Sequence, residues 1–256
     1  MKTYLFVTLD GGGNLPPILG LARHLHHQGH RVRVLSEPCL QDVIEGYGLE
    51  FLPFRQYFTR QDRREDLFKD GKIPAHKSPV FEQVVFGPAK VVADETHRAL
   101  TEVPADVLVS DCLTPGSLIA AEALKIPRVV LFHMPEYVPG PGRPAVGFAP
   151  ATNQLGRWRD GLFHGLMRKT LNKLLPAVNT ARAAYGLPPL AEVFDLLHQA
   201  DQRLMLTLEA FDFPLDPAPD NLRYVGPVLD EPDWVTPWQS PWPAGDARPL
   251  VVVSLS

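Results

Sequence analysis

The chain has 256 residues, 45% of them hydrophobic and 21% charged, with a formal net charge of -4, which is room for one large or two small domains around a sizeable core. Mild acidity, with local basic runs such as residues 60–64 interleaved by acids, argues against a nucleic-acid or membrane-surface partner. Two cysteines, Cys39 and Cys112, are too few for a disulfide scaffold and show no metal-ligand spacing. With no signal-peptide core and no apolar run near the roughly 20 residues of a membrane helix, the expectation is a cytoplasmic protein without membrane insertion or a bound metal.

Thr3-Tyr4-Leu5-Phe6-Val7, followed by Asp10-Gly11-Gly12-Gly13-Asn14-Leu15-Pro16-Pro17, predicts a buried strand, a glycine turn and a helix whose first turn accepts prolines. Such a turn lies at the carboxyl end of a parallel strand, where open α/β sheets bind ligands. Apolar residues Ile18, Leu19, Leu21, Ala22 and Leu25 recur at helical spacing up to Gly29, and residues 31–36 and 50–53 predict two more strands around a short helix at 38–46. Residues 55–79 are charged and without period, with scattered aromatics. They predict a long loop, either a lid over the turn or a surface excursion.

Residues 79–100 predict a helix broken near Gly87-Pro88, 106–111 a strand ending at Asp111, and 114–124 a helix capped by Thr114. A strand at 128–132 ends at His133, and residues 134–156 form a proline- and glycine-rich loop. Residues 157–185 predict one long helix bent at Pro176, whose stripe of Trp158, Leu162, Phe163, Leu166, Leu174, Leu175 and Val178 predicts a core-facing side. A helix at 190–200 and strands at 203–208 and 221–225 follow.

Strands alternating with helices predict a Rossmann-like α/β fold, a doubly wound parallel sheet flanked by helices. Prolines crowd residues 226–248, which predict an interdomain linker after a domain over 1–225, and residues 249–256 predict the first strand of a further, truncated domain. Three strand ends present polar groups to one edge: Asp10 with Asn14, then Asp111, then His133.

The glycine turn partly fits the dinucleotide pattern G-x-G-x-x-G, with Gly11 and Gly13 in place and Pro16 where the third glycine belongs. Glu37, just after the second strand, sits where an acid holds the ribose in that fold. A nucleotide-dependent oxidoreductase therefore stays open as an alternative.

The wider layout resembles another family. The opening strand, turn and Pro17, the segments GHRVRVL, ADVLVSD, AAEALKIPRVV and NLRYVGPV, and the closing PLVVVSLS are together similar to the N-terminal domain of family 1 glycosyltransferases of GT-B architecture. Membership would imply that this half binds the acceptor, and the exposed-looking aromatics suggest that the acceptor is a small apolar aglycone. A nucleotide-sugar co-substrate would sit on the absent C-terminal domain, and the sugar would pass with inversion to an acceptor hydroxyl, without a metal or further cofactor.

The family's general base is a histidine, and the matching position here is Asn14, an amide that cannot take a proton near neutral pH. The acid that orients that histidine matches Asp111. Three assignments stay open: Asp111 takes the proton with Asn14 positioning the nucleophile, His133 replaces the missing imidazole, or the acceptor is acidic enough that positioning suffices. The bland alternatives are a helix-capping Asp111 and a merely hydrogen-bonded His133. Candidate acceptor contacts are Asp10, Gly12, Gly13, Phe81, Phe86, Met134, Tyr137 and Trp158. Asn14 also keeps open a non-catalytic aglycone-binding module, or a half-enzyme needing a partner.

Overall fold

A computed structural model describes residues 1–65, 80–213, 215, 217–228, 239–240 and 242. The predicted final strand, most of the predicted linker, and residues 66–79 of the predicted loop lie outside these.

Among the described residues, seven strands form one sheet: β1 (Thr3–Val7), β2 (Arg31–Ser36), β3 (Glu50–Pro53), β4 (Val107–Asp111), β5 (Arg128–Phe132), β6 (Gln202–Met205) and β7 (Leu222–Tyr224). Their order is β3-β2-β1-β4-β5-β6-β7, and every neighbouring pair is parallel. The doubly wound expectation holds. The order reverses between β1 and β4, the place where such sheets open a ligand crevice.

Alternation along the strands divides the core. Leu5, Val7, Leu108, Val130 and Phe132 point to one face with α3 (Ala89–Glu102), α4 (Gly116–Ala123), α6 (Leu175–Ala184) and α7 (Asp195–His198). Phe6, Val34, Val109 and Leu131 point to the other, against α1 (Leu15–His27) and α2 (Gln41–Gly46).

The predicted break near Gly87-Pro88 is real. Val80–Val85 forms one π-helical turn, closed by Phe86 N–H donating to Phe81 O at 2.9 Å, before α3 begins. The long helix is two, α5 (Gln154–Leu171) and α6, joined by a tight turn over Asn172–Leu174, with Pro176 in the first turn of α6. The helix expected over 190–200 shrinks to α7, with turns ahead of it.

Two further expectations are corrected. Thr114 does not cap α4, because its hydroxyl donates to Val7 O at 2.9 Å and ties that corner to β1. The apolar stripe at the start of the long helix is not core: Trp158, Leu162, Phe163 and Leu166 are all exposed, Trp158 by 66%. Asp160 and Leu171 are buried instead, Asp160 accepting from Ala145 N at 3.1 Å. Periodicity shows that a helix has an apolar side and does not show what covers it.

Candidate active site

The site is built where β1 and β4 diverge. Asp111 closes β4, buried to 1% exposure, and no Lys or Arg forms an ion pair with it among the described residues. Its Oδ2 accepts from Thr8 Oγ1 at 2.8 Å and Asn14 Nδ2 at 2.6 Å. Its Oδ1 accepts from Leu113 N at 3.0 Å and faces His133 Nδ1 at 3.6 Å.

Asn14 stands at the N-terminus of α1 without capping it by its side chain. That side chain turns inward: Nδ2 also donates to Leu9 O at 2.7 Å, while Oδ1 accepts from Gly11 N at 3.0 Å. Reversing the amide would set an oxygen against the carboxylate, so the turn holds one orientation. Gly12 adopts φ +107°, in the region that favours glycine, and lets the chain fold back over the site.

His133 follows β5, whose register places Leu131 opposite Asp111. Burial lowers its pKa below the ordinary imidazole value, and the Asp111 charge opposes that only in part. The ring is therefore neutral near pH 7, in the form that can take a proton.

A second network fixes the outer side of the turn. Glu37, fully buried, accepts from Asp10 N at 2.9 Å and from Arg60 Nη2 at 2.6 Å, and Arg60 also donates to Asp10 O at 2.8 Å. Arg63 pairs with the Asp10 carboxylate at 2.7 Å, and that carboxylate accepts from Gly12 N as well. Glu37 is thus committed to an arginine inside the protein and is not offered to a ribose, which removes a support of the dinucleotide alternative. Asp10 is spent on the turn and on Arg63.

Of the other predicted acceptor residues, Phe81, Phe86 and Tyr137 come together, the Phe81 ring centroid lying 5.4 Å from Tyr137 and 6.0 Å from Phe86. Phe86 is wholly buried in the core. Tyr137 lines a cavity of about 250 Å³ between the 135–148 loop and α5, with Phe148, His164, Met167 and Phe213, and buried Glu136 and Arg143 in its wall. The Tyr137 hydroxyl donates to Cys112 O at 3.2 Å, joining this cavity to the Asp111 corner. Met134 and Trp158 are exposed, and Gly12 and Gly13 lie open at the turn's surface. Thr8 and Cys112 went unpredicted; each adjoins a singled-out element in sequence, yet its contact depends on strand register.

Across 98% of its length the chain is 25% identical to the 4'-demethylrebeccamycin synthase of Lentzea aerocolonigenes, of which the match covers 62%. The chain is related to the family 1 glycosyltransferases of GT-B fold. It is also 26% identical over 202 residues to glycosyltransferase GtfE of Amycolatopsis orientalis, covering 75% of this chain and 46% of that protein. The solved glycotransferase of kitacinnamycin shares the fold, with a TM-score of 0.65 at 19% identity over 95% of this chain and 55% of the other. The chain thus spans between 46% and 62% of the length of these glycosyltransferases. No protein-family model matches it. No described helix is long and apolar enough to cross a membrane.

Proposed function

We propose that this chain is the acceptor-binding half of a cytoplasmic enzyme that moves a sugar from a nucleotide-sugar donor to a hydroxyl of a small apolar aglycone, with inversion. The observation that carries it is the line Asn14–Asp111–His133 at the sheet's switch point, in a chain related to glycosyltransferases. A second domain holds the donor, in keeping with the share of the relatives that the chain spans.

His133 takes the part that the family gives to the residue at position 14. With Nδ1 turned to Asp111, Nε2 lies on the far side of the ring and accepts the acceptor's hydroxyl proton. The freed oxygen attacks the anomeric carbon, and the sugar's bond to the nucleotide breaks with its electron pair leaving on the phosphate. Asp111 holds the imidazole and stabilises the imidazolium, while Asn14 and Thr8 hold Asp111. The oxygen–nitrogen distance of 3.6 Å tightens as the ring charges. Exposed Met134, Val146, Phe148 and Trp158 around the loop and cavity support an apolar acceptor.

Incubating the full-length protein with nucleotide sugars and an aglycone panel should give a mass gain of one sugar. Tight aglycone binding without transfer from any donor would instead establish the binding-module alternative, which Asn14 in place of histidine favours.

A further inference from the structure

Cys112 sits one residue beyond Asp111, fully buried, and the mechanism above does not use its thiol. Its backbone N–H donates to Leu131 O at 3.0 Å, so the end of β4 is pinned against β5. This pinning brings Cys112 Sγ to 3.9 Å from His133 Nδ1, with Asp111 Oδ1 3.6 Å from the same nitrogen. The three donor atoms lie within 4.8 Å of one another. We propose that Asp111, Cys112 and His133 form a binding site for one thiophilic divalent cation of the zinc class.

Donor chemistry, spacing and charge all support such an ion. Sulfur, imidazole nitrogen and carboxylate oxygen are the ligands zinc takes, and tetrahedral bonds of about 2.0–2.3 Å place donors about 3.3–3.6 Å apart. The two His133 edges need a contraction of a few tenths of an ångström, and the Cys112–Asp111 edge, which lies inside the 4.8 Å bound, one of up to about 1.3 Å. Asp111 is already held as a metal carboxylate is held, its Oδ2 by Thr8 and Asn14 and its Oδ1 by Leu113 N, with Oδ1 turned toward His133. A carboxylate and a thiolate cancel a divalent charge, so the loaded site buries no net charge, whereas the empty one buries a carboxylate without a Lys or Arg partner among the described residues.

On binding, the metal–sulfur bond forms as the thiol proton leaves to solvent, and His133 ligates through Nδ1 with its proton on Nε2. A fourth position stays open, as in sites with three protein ligands. The ion and an acceptor hydroxyl thereby compete for the same Asp111–His133 pair. Metal binding itself does not depend on the glycosyl-transfer proposal.

Cobalt(II) titration of the protein tests this by absorption. One equivalent should bring a thiolate-to-cobalt charge-transfer band and the intense visible bands of a four-coordinate ion, both abolished by added Zn²⁺. Cys112→Ala should remove the charge-transfer band, Cys39→Ala should keep it, and His133→Ala should weaken binding by about tenfold or more. No charge-transfer band in the unaltered protein, its loss in Cys39→Ala, or undiminished affinity in His133→Ala would each overturn the proposal. Should Cys112→Ala fail to fold, His133→Ala and His133→Gln give the decision, because neither removes a fully buried side chain.

Discussion

Asn14 Nδ2 meets Asp111 Oδ2 at 2.6 Å across 97 residues of chain, and both side chains are 1% exposed. The contact joins the first glycine turn to the end of β4. It gives the amide a structural task at the position where the resemblance places a base: Asn14 donates to the carboxylate, and the proposed mechanism assigns the proton to His133.

Asn14→Ala should cost about 1–3 kcal/mol of stability, because Leu9 O and Asp111 Oδ2 lose a buried donor. Asn14→Asp should cost more, since it sets a second carboxylate against the first. Urea unfolding of the three proteins checks the order, and an Asn14→Asp at least as stable as Asn14→Ala would refute it.

Burial holds the His133 pKa below the ordinary histidine value, and the proposed mechanism uses its neutral form, so transfer should fall as pH drops through that lowered pKa and level off above it. His133→Ala should lower kcat by about 10²- to 10⁴-fold and erase this acid limb. Asp111→Asn should cost a similar factor, and the double variant little more, as expected of groups acting as a unit. A pH profile unchanged in His133→Ala would return the proton to Asp111.

Arg60→Ala should destabilise the protein by about 3–5 kcal/mol, because it strands the fully buried Glu37 carboxylate. Adding Glu37→Gln should restore part of the loss. Thermal melts of the single and double variants measure it, and an Arg60→Ala that melts like the unaltered protein would show the pair to be dispensable.

His198 is lowered to about 4, first by burial and then by the charge of Arg203. The unfolded chain binds this proton near pH 6.5 and the folded one does not, so stability is full above about 6.5 and declines as pH falls toward 4. The loss should reach about 2 kcal/mol by about pH 5, at 1.36 kcal/mol per unit. His198→Gln should flatten that part of the denaturant-midpoint curve. An equally steep decline in the variant would assign the effect to other groups.

Much of the fold is legible in the sequence because it rests on local rules. Alternation between period-2 and helical patterns marks β1 to β5 and α1, and the glycines and prolines mark the turn after β1 and the break before α3. Asp111 and His133 were identifiable as strand-end groups, and Asn14 as the departure from the family's pattern. Local rules failed where a helix's fate depended on its neighbours, as in α7, which keeps only Asp195–His198 of an eleven-residue expectation.

The sequence by itself determined that strands and helices alternate, that a glycine turn opens the chain, and that polar side chains crowd one edge of the sheet, because each follows from residues close in the chain. Only the tertiary structure decided which of those side chains meet. Parallel pairing of β1 with β4 and β4 with β5 brings Asn14 and His133 to Asp111 and its chain neighbour Cys112. Packing gives Glu37 to Arg60 and leaves Trp158 outside the core. Strand register and the covering of a face are properties of contacts distant in sequence, and no window of neighbouring residues carries them.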